Sequence, residues 1–193
     1  METALTGLMD LPARGSEQSI SAEQFDAVMR QHQHRVYRVL WMLLRDADEA
    51  NTLTQECFFR AYQNWSGFRG DSSIETWLLK IAVNLSRDHT RNRKRAFWKK
   101  LLGLEEQKAT QAIATTVPSP ERSLLAREEM KAVWQAAEGL SEQQRAVFTL
   151  RFVEDMQLQK IANVLGLKVG TVKTHLFRAT TTVRKRLEEQ QWR

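Results

Sequence analysis

The sequence predicts an all-α chain: two small helical domains joined by a flexible linker, the C-terminal one containing a helix-turn-helix. Three observations carry this. Apolar residues recur at spacings of three and four through most of the chain, which is the period of a helix with one buried face. Strand-like alternation of useful length is absent. Between the two periodic parts, "LGLEEQKATQAIATTVPSP" loses the period and gains Thr, Gly and Pro, as a linker does.

Residues 1–20 mix Gly, Ser, Pro and Thr without helical periodicity and are expected to be a mobile tail. The first domain is expected over residues 21–100. From Ala22 the pattern is helical, with Phe25, Val28 and Met29 leading into Val36, Val39, Leu40, Leu43 and Leu44. Ala50, Leu53, Cys57 and Ala61 repeat it in the next segment. "WSGFRGDSS" then breaks the pattern, and Ser72 with Glu75 makes an S-x-x-E capping box for a helix carrying Ile74, Trp77, Leu78, Ile81 and Leu85 on one face. Rotation about that helix places Lys80, Val83, Arg87, Thr90, Arg91 and Lys94 on the other side, a long basic ridge with Asn84 at its edge.

The linker is expected over residues 101–120 and the second domain over residues 121–193. Ser119 and Pro120 suit an N-cap and first helical residue, opening a helix to about Glu138 that Gly139 can stop. Ser141 and Gln144 form a further capping box, S-x-x-Q, ahead of Ala146, Val147 and Leu150. In "QKIANVLGLKVGTVKTHLFRA" the residues Ile161, Ala162 and Leu165, with the preceding Leu158, mark the buried face of a short helix that Gly166 ends in a sharp turn. In the following helix Val172, Leu176, Ala179, Val183 and Leu187 fall in one stripe. Gly170, Thr174 and Phe177 point the opposite way, flanked by Thr171, Lys173 and Arg178. This is helix-turn-helix spacing, with an outward helix whose side chains can reach base edges and phosphates in a major groove.

Composition narrows the function. With 42% hydrophobic and 27% charged residues the 193-residue chain has the make-up of a folded soluble protein, and its formal net charge of +6 points to a polyanionic partner. The N-terminus carries Glu2 and no continuous apolar core, unlike a secretory signal. The longest apolar run, Val39 to Leu44, is too short to span a bilayer, so no membrane insertion is expected. A lone cysteine, Cys57, fits a reducing cytoplasm. Clustered catalytic carboxylates and metal-ligand spacings are lacking, so the chain is not expected to be an enzyme or to hold a cofactor or metal; His32 and His34 read as solvated helix residues.

The loop "GFRGDSS" puts Phe68, Arg69, Gly70, Asp71, Ser72 and Ser73 directly before the basic ridge. A turn would explain the glycines, but the same residues offer aromatic surface and hydrogen bonds to an unstacked base.

With these residues in view, the chain resembles the extracytoplasmic-function (ECF) sigma factors of bacterial RNA polymerase. The matching stretches are "LTQECFFRAYQNWSGFRGDSSIETWLLKIAVNLSRD", "LSEQQRAVFTLRFVEDMQLQKIANVLGL" and "VGTVKTHLFRA", in the expected order. The resemblance implies a first domain that binds core polymerase and the minus-10 element, and a second that reads the minus-35 element. It assigns core binding to Leu53, Gln55, Glu56 and Arg60. It assigns minus-10 recognition to the loop from Phe68 to Ser73, with Lys80, Asn84, Arg87 and Arg91 on the ridge. Lys168, Gly170, Thr171, Lys173, Thr174, Phe177 and Arg178 would face the minus-35 element. An anti-sigma partner is a further family expectation. The chain departs from the family at Thr52, where an acid usually precedes the Leu-x-Gln motif, and at Lys168, where a Ser or Thr cap is common. The competing reading is a stand-alone helix-turn-helix regulator, against which the basic ridge counts as a poor ligand pocket or dimer seam.

Overall fold

The computed structural model describes residues 20–101, 133 and 135–191. Among them the regular elements are helices: α1 (Ala22–Leu44), α2 (Ala47–Gln63), α3 (Ile74–Leu101), α4 (Glu142–Phe152), α5 (Leu158–Leu165) and α6 (Val169–Gln191), with a short 3-10 turn at Trp65–Gly67. Residues 1–19 of the expected tail, the expected linker and most of the helix expected before Glu138 lie outside the described residues.

Local chemistry sets the boundaries. Ser21 caps α1 through a reciprocal box with Gln24, and Asp46 caps α2 by accepting from the Asp48 and Glu49 amides. Arg45 takes a left-handed conformation between them, with φ 62°, which turns the chain back within two residues. The Ser141–Gln144 box forms as expected. The box expected at Ser72 and Glu75 does not. Ser73 is the residue that accepts from the Thr76 amide, at 3.2 Å, while Glu75 turns to Arg35 on α1, at 2.8 Å. Pairing with a cation on a packed neighbour wins over a local backbone bond for that carboxylate.

Helices α1, α2 and α3 enclose one core: Phe25, Val36, Leu40, Ala50, Leu53, Cys57, Ala61, Leu78, Ala82 and Leu85 are buried together. An aromatic cluster closes one end, with Trp65 edge-on to both Phe25 and Trp77, and Phe68 tilted over Trp77 at 5.0 Å. Truncating fully buried Leu78 to Ala would cost about 2–5 kcal/mol by loss of transfer energy and creation of a cavity. A further core, of Ala136, Ala137, Leu140, Phe148, Ala179 and Val183, ties α6 to α4 and the turn before it.

The remaining core joins the halves. Val39 of α1 with Leu79 and Val83 of α3 packs against Ala146, Val147 and Leu150 of α4 and Ile161 and Leu165 of α5. Val83 and Arg87 therefore do not point to solvent as the rotation argument expects. Helix α3 has two covered faces, and the second is covered by partners 56 or more residues downstream, which periodicity within α3 does not reveal.

Candidate nucleic-acid interface

The helix-turn-helix is built from α5, a three-residue turn and α6. Gly166 sits in the left-handed region at φ 65°, and the Leu167 amide donates to the Ala162 carbonyl at 2.9 Å, so the chain reverses without leaving either group unpaired. A side chain with a Cβ at position 166 would be strained by that φ. Val172, Ala179 and Val183 are buried and Leu176 and Leu187 partly so, fixing the rotation of α6. The opposite face is therefore presented to solvent: Lys168, Gly170, Thr171, Lys173, Thr174, Phe177 and Arg178 are all exposed. Phe177 is 71% exposed, a position that burial cannot account for. Together these side chains offer cations, hydroxyls and an apolar ring along about three turns of one helix face.

Arg186 lies outside this surface. Its guanidinium lies over Gly139 and donates to the Ala136 carbonyl, which anchors the far end of α6 to the turn ahead of α4.

In the first half the expected minus-10 residues divide. Arg69, Gly70, Asp71, Ser72, Ser73, Lys80, Asn84 and Arg91 are exposed. Gly70 takes φ 72°, which gives the loop its bend. Phe68 is half-buried in the Trp65–Trp77 cluster, so its ring supports the loop rather than standing free for a base. The Ser73 hydroxyl is held by Thr76 as the cap of α3. Arg87 is directed into the second half, donating to Gln143 Oε1 at 3.0 Å and to the Leu165 carbonyl at 3.3 Å. Arg91 pairs with Asp88 at 2.9 Å on the exposed side.

The expected core-binding residues divide likewise. Leu53 is buried in the first core and contributes scaffold, not surface. Gln55 is exposed, and Glu56 is held by Arg60 at 2.6 Å across one helical turn. Sequence reasoning missed the two aromatic residues exposed on the same helix, Phe59 and Tyr62. They flank buried Phe58 and Ala61 and are legible only once the buried stripe has been fixed by structure.

The Cys57 thiol, fully enclosed by α2 and α3, is pushed up to about 12, chiefly by burial. His32 is held below its ordinary value by partial burial, with Glu75 opposing and Arg35 reinforcing the shift. No cluster of His, Cys, Asp or Glu able to hold a metal occurs among the described residues, and none of their helices is long and apolar enough to cross a membrane.

Two family models match the chain, Sigma-70 region 2 over residues 28–96 and Sigma-70 region 4 over residues 130–187. The RNA polymerase sigma-H factor of Pseudomonas aeruginosa is 33% identical over 166 residues, covering 85% of this chain and 86% of that protein. The ECF RNA polymerase sigma factor SigW of Bacillus subtilis is 28% identical, covering 86% and 90%. The chain belongs to the ECF sigma factors. Among solved structures, the sigma factor RpoE in complex with the anti-sigma factor NepR from Bartonella quintana superposes with a TM-score of 0.69 at 20% identity, covering 86% of this chain and 98% of that one. CnrH in complex with the cytosolic domain of CnrY gives a TM-score of 0.62 at 20% identity, covering 88% and 90%. The all-α architecture of this sigma factor is thus shared across proteins of low identity. Its loop from Phe68 to Ser73 and its α3 ridge lie in the region 2 match, and its helix-turn-helix lies in the region 4 match.

Proposed function

We propose that this sigma factor binds core RNA polymerase through the polar side of α2, captures the minus-10 strand with the loop before α3, and reads the minus-35 duplex with the outer face of α6. The role itself, bringing polymerase to promoters, follows from the two matched sigma regions and the sigma-factor relatives. The observation that carries the residue-level reading is the exposed row from Gly170 to Arg178, supported from beneath by Val172 and Ala179. Such a row suits a major groove, where cations meet phosphates or guanine edges and an apolar ring meets a thymine methyl.

On this reading residues 21–100 are the N-terminal sigma domain, 101–120 the linker and 121–193 the C-terminal sigma domain. Core contact rests on Gln55 and on the Glu56–Arg60 pair, with Phe59 and Tyr62 adding apolar area beside them. Aromatic residues in such positions commonly dominate binding energy. Initiation takes place in the cytoplasm, where core polymerase and promoter DNA are the partners. An anti-sigma factor is a further partner on this reading, since a solved structure of similar fold is that of the sigma factor RpoE in complex with the anti-sigma factor NepR.

Runoff transcription tests the proposal. Core polymerase with this chain should initiate at promoters that core alone does not use, and footprints should cover both upstream elements only when the two are together. Specific protection of DNA by the chain alone would favour a free-standing regulator.

A further inference from the structure

Two half-buried arginines meet where α1, α3 and α4 come together, and both are held by neutral oxygens. Arg87 of α3 donates through Nη1 to the Leu165 carbonyl at 3.3 Å and through Nη2 to Gln143 Oε1 at 3.0 Å. Arg145 of α4 donates through Nη1 to the Leu43 carbonyl at 3.1 Å, and through Nη2 to the carbonyls of Glu138 and Leu140 at 3.1 and 3.3 Å. Arg35 and Arg38 of α1 differ, because the buried carboxylate of Glu154 neutralises them. The Nε–H groups of Arg87 and Arg145 are enclosed and lack a hydrogen-bond partner. A guanidinium is a rigid fork, so neither Nε can turn to another acceptor while both Nη atoms are engaged.

Both side chains line one cavity, with room for a single water-sized occupant. Ser86 and Thr90 also line it, but their hydroxyls donate to the Val83 and Ser86 carbonyls, which leaves the cations as its donors. The local charge is positive. Burial first, and then neighbouring Arg45, pull the Arg145 guanidinium below its ordinary range, against the opposing influence of Glu138 and Glu142. Glu142 stands at the cavity wall, yet it is exposed, where water and salt screen its charge. A cation taken from water and held only by neutral acceptors lacks a counter-charge, and an unpaired enclosed donor adds to the cost. A small anion relieves both deficits at once. Water would accept the same N–H groups without supplying charge, and a phosphate-sized oxyanion exceeds the space.

We propose that this cavity is a halide site, in which a chloride ion accepts from the Nε–H of Arg87 and the Nε–H of Arg145. The site is independent of the promoter-binding assignments, since it uses neither the outer face of α6 nor the loop before α3. Its occupancy is measurable with no DNA or polymerase present.

The test titrates chloride into the purified full chain in gluconate buffer at constant ionic strength. The chloride NMR line should show excess broadening that saturates, and the melting temperature should rise as chloride replaces gluconate, because an ion bound only by the folded chain stabilises it. Arg145→Gln keeps a polar side chain but removes the cation, and should weaken chloride binding about tenfold or more, as expected for loss of a charged hydrogen-bond partner. Arg87→Gln should do the same, and it decides the matter if Arg145→Gln loses its helical signal. Glu142→Gln removes a like charge from the cavity wall without touching either arginine, so this variant should bind chloride at least as tightly as wild type. In crystals soaked in bromide, an anomalous peak should lie between the two guanidinium groups. Broadening that is absent from wild type, that survives both arginine substitutions, or that weakens in Glu142→Gln overturns the site. Density there without anomalous signal makes the occupant water, which also overturns it.

Discussion

The guanidinium of Arg186 lies directly over Gly139, in the space that a Cβ on residue 139 would occupy. Gly139 has no positive φ, so the absent side chain matters for space, not for backbone conformation. The contact fastens the end of α6 to the turn before α4 and withdraws one cation from the basic array of that helix. Arg186→Ala should therefore lower thermal stability, through lost packing of the stem and a lost carbonyl partner, by about 1 kcal/mol. Minus-35 duplex affinity should stay at the wild-type level. Melting curves and anisotropy titrations on the same preparation decide it, and a loss of DNA affinity without a loss of stability would move Arg186 into the interface.

Arg178 and Phe177 should behave in the opposite way. Both are exposed, so their replacement by Ala should leave stability within about 0.5 kcal/mol. Arg178→Ala should weaken duplex binding by about 1–3 kcal/mol if the lost partner is a base, and less if it is one phosphate. A phosphate contact would also reduce the slope of log affinity against log salt by about one unit. Wild-type affinity in both variants would place DNA on another face of α6.

The fold was legible in the sequence wherever one face of a helix was buried locally. The stripe Val172, Ala179, Val183 and the Gly166 turn came directly from spacing, as did the Ser141–Gln144 cap. Reasoning failed where a second partner intervened. Nothing in α3 alone distinguishes Val83, buried against α4 and α5, from an exposed ridge residue, and nothing in the pair Glu154–Asp155 says which acid is enclosed and which is exposed. Spacing alone assigns Glu75 to a local cap, because a capping box spans only a few residues, whereas its partner in the fold, Arg35, lies on another helix. The exposed face of α6, from Gly170 to Arg178, is legible because exposure follows from the buried stripe, whereas Leu53, expected at the polymerase-binding face, belongs to the stripe of its own helix.

Cys57 offers a probe of global opening. Its thiol lies in the first core and is pushed up to about 12, so at neutral pH the reactive thiolate is negligible while the fold is closed around it. Labelling by a thiol reagent should be slow in buffer and accelerate with denaturant in step with loss of helical signal. Fast labelling of the native chain would mean that α2 and α3 separate locally.

Acid should loosen the first half through His32. Its folded value lies below the unfolded one near 6.5, so the unfolded chain binds more protons and stability rises with pH across that interval. The destabilisation is absent well above pH 6.5 and sets in as pH falls through it. His32→Gln should flatten the slope of stability against pH between about 5 and 7. An unchanged slope would assign the acid sensitivity to other groups.

The loop ahead of α3 gives the sharpest division between support and recognition. Ser73 holds the Thr76 amide and hydroxyl, so Ser73→Ala removes a helix cap and should cost about 1 kcal/mol of stability whatever its effect on DNA. Asn84 is exposed on α3, and its replacement by Ala should be nearly neutral for the fold. An unstacked base leaves its neighbours at a penalty of a few kcal/mol, which hydrogen bonds from an amide can offset in part. Asn84→Ala should therefore slow promoter opening while leaving core binding and minus-35 affinity intact. A fluorescent base analogue in the non-template minus-10 strand reports opening directly. Equal opening rates and extents for Asn84→Ala and wild type would remove Asn84 from base capture. Impaired opening in Ser73→Ala alone would then mean that the loop acts only by holding the start of α3 in place.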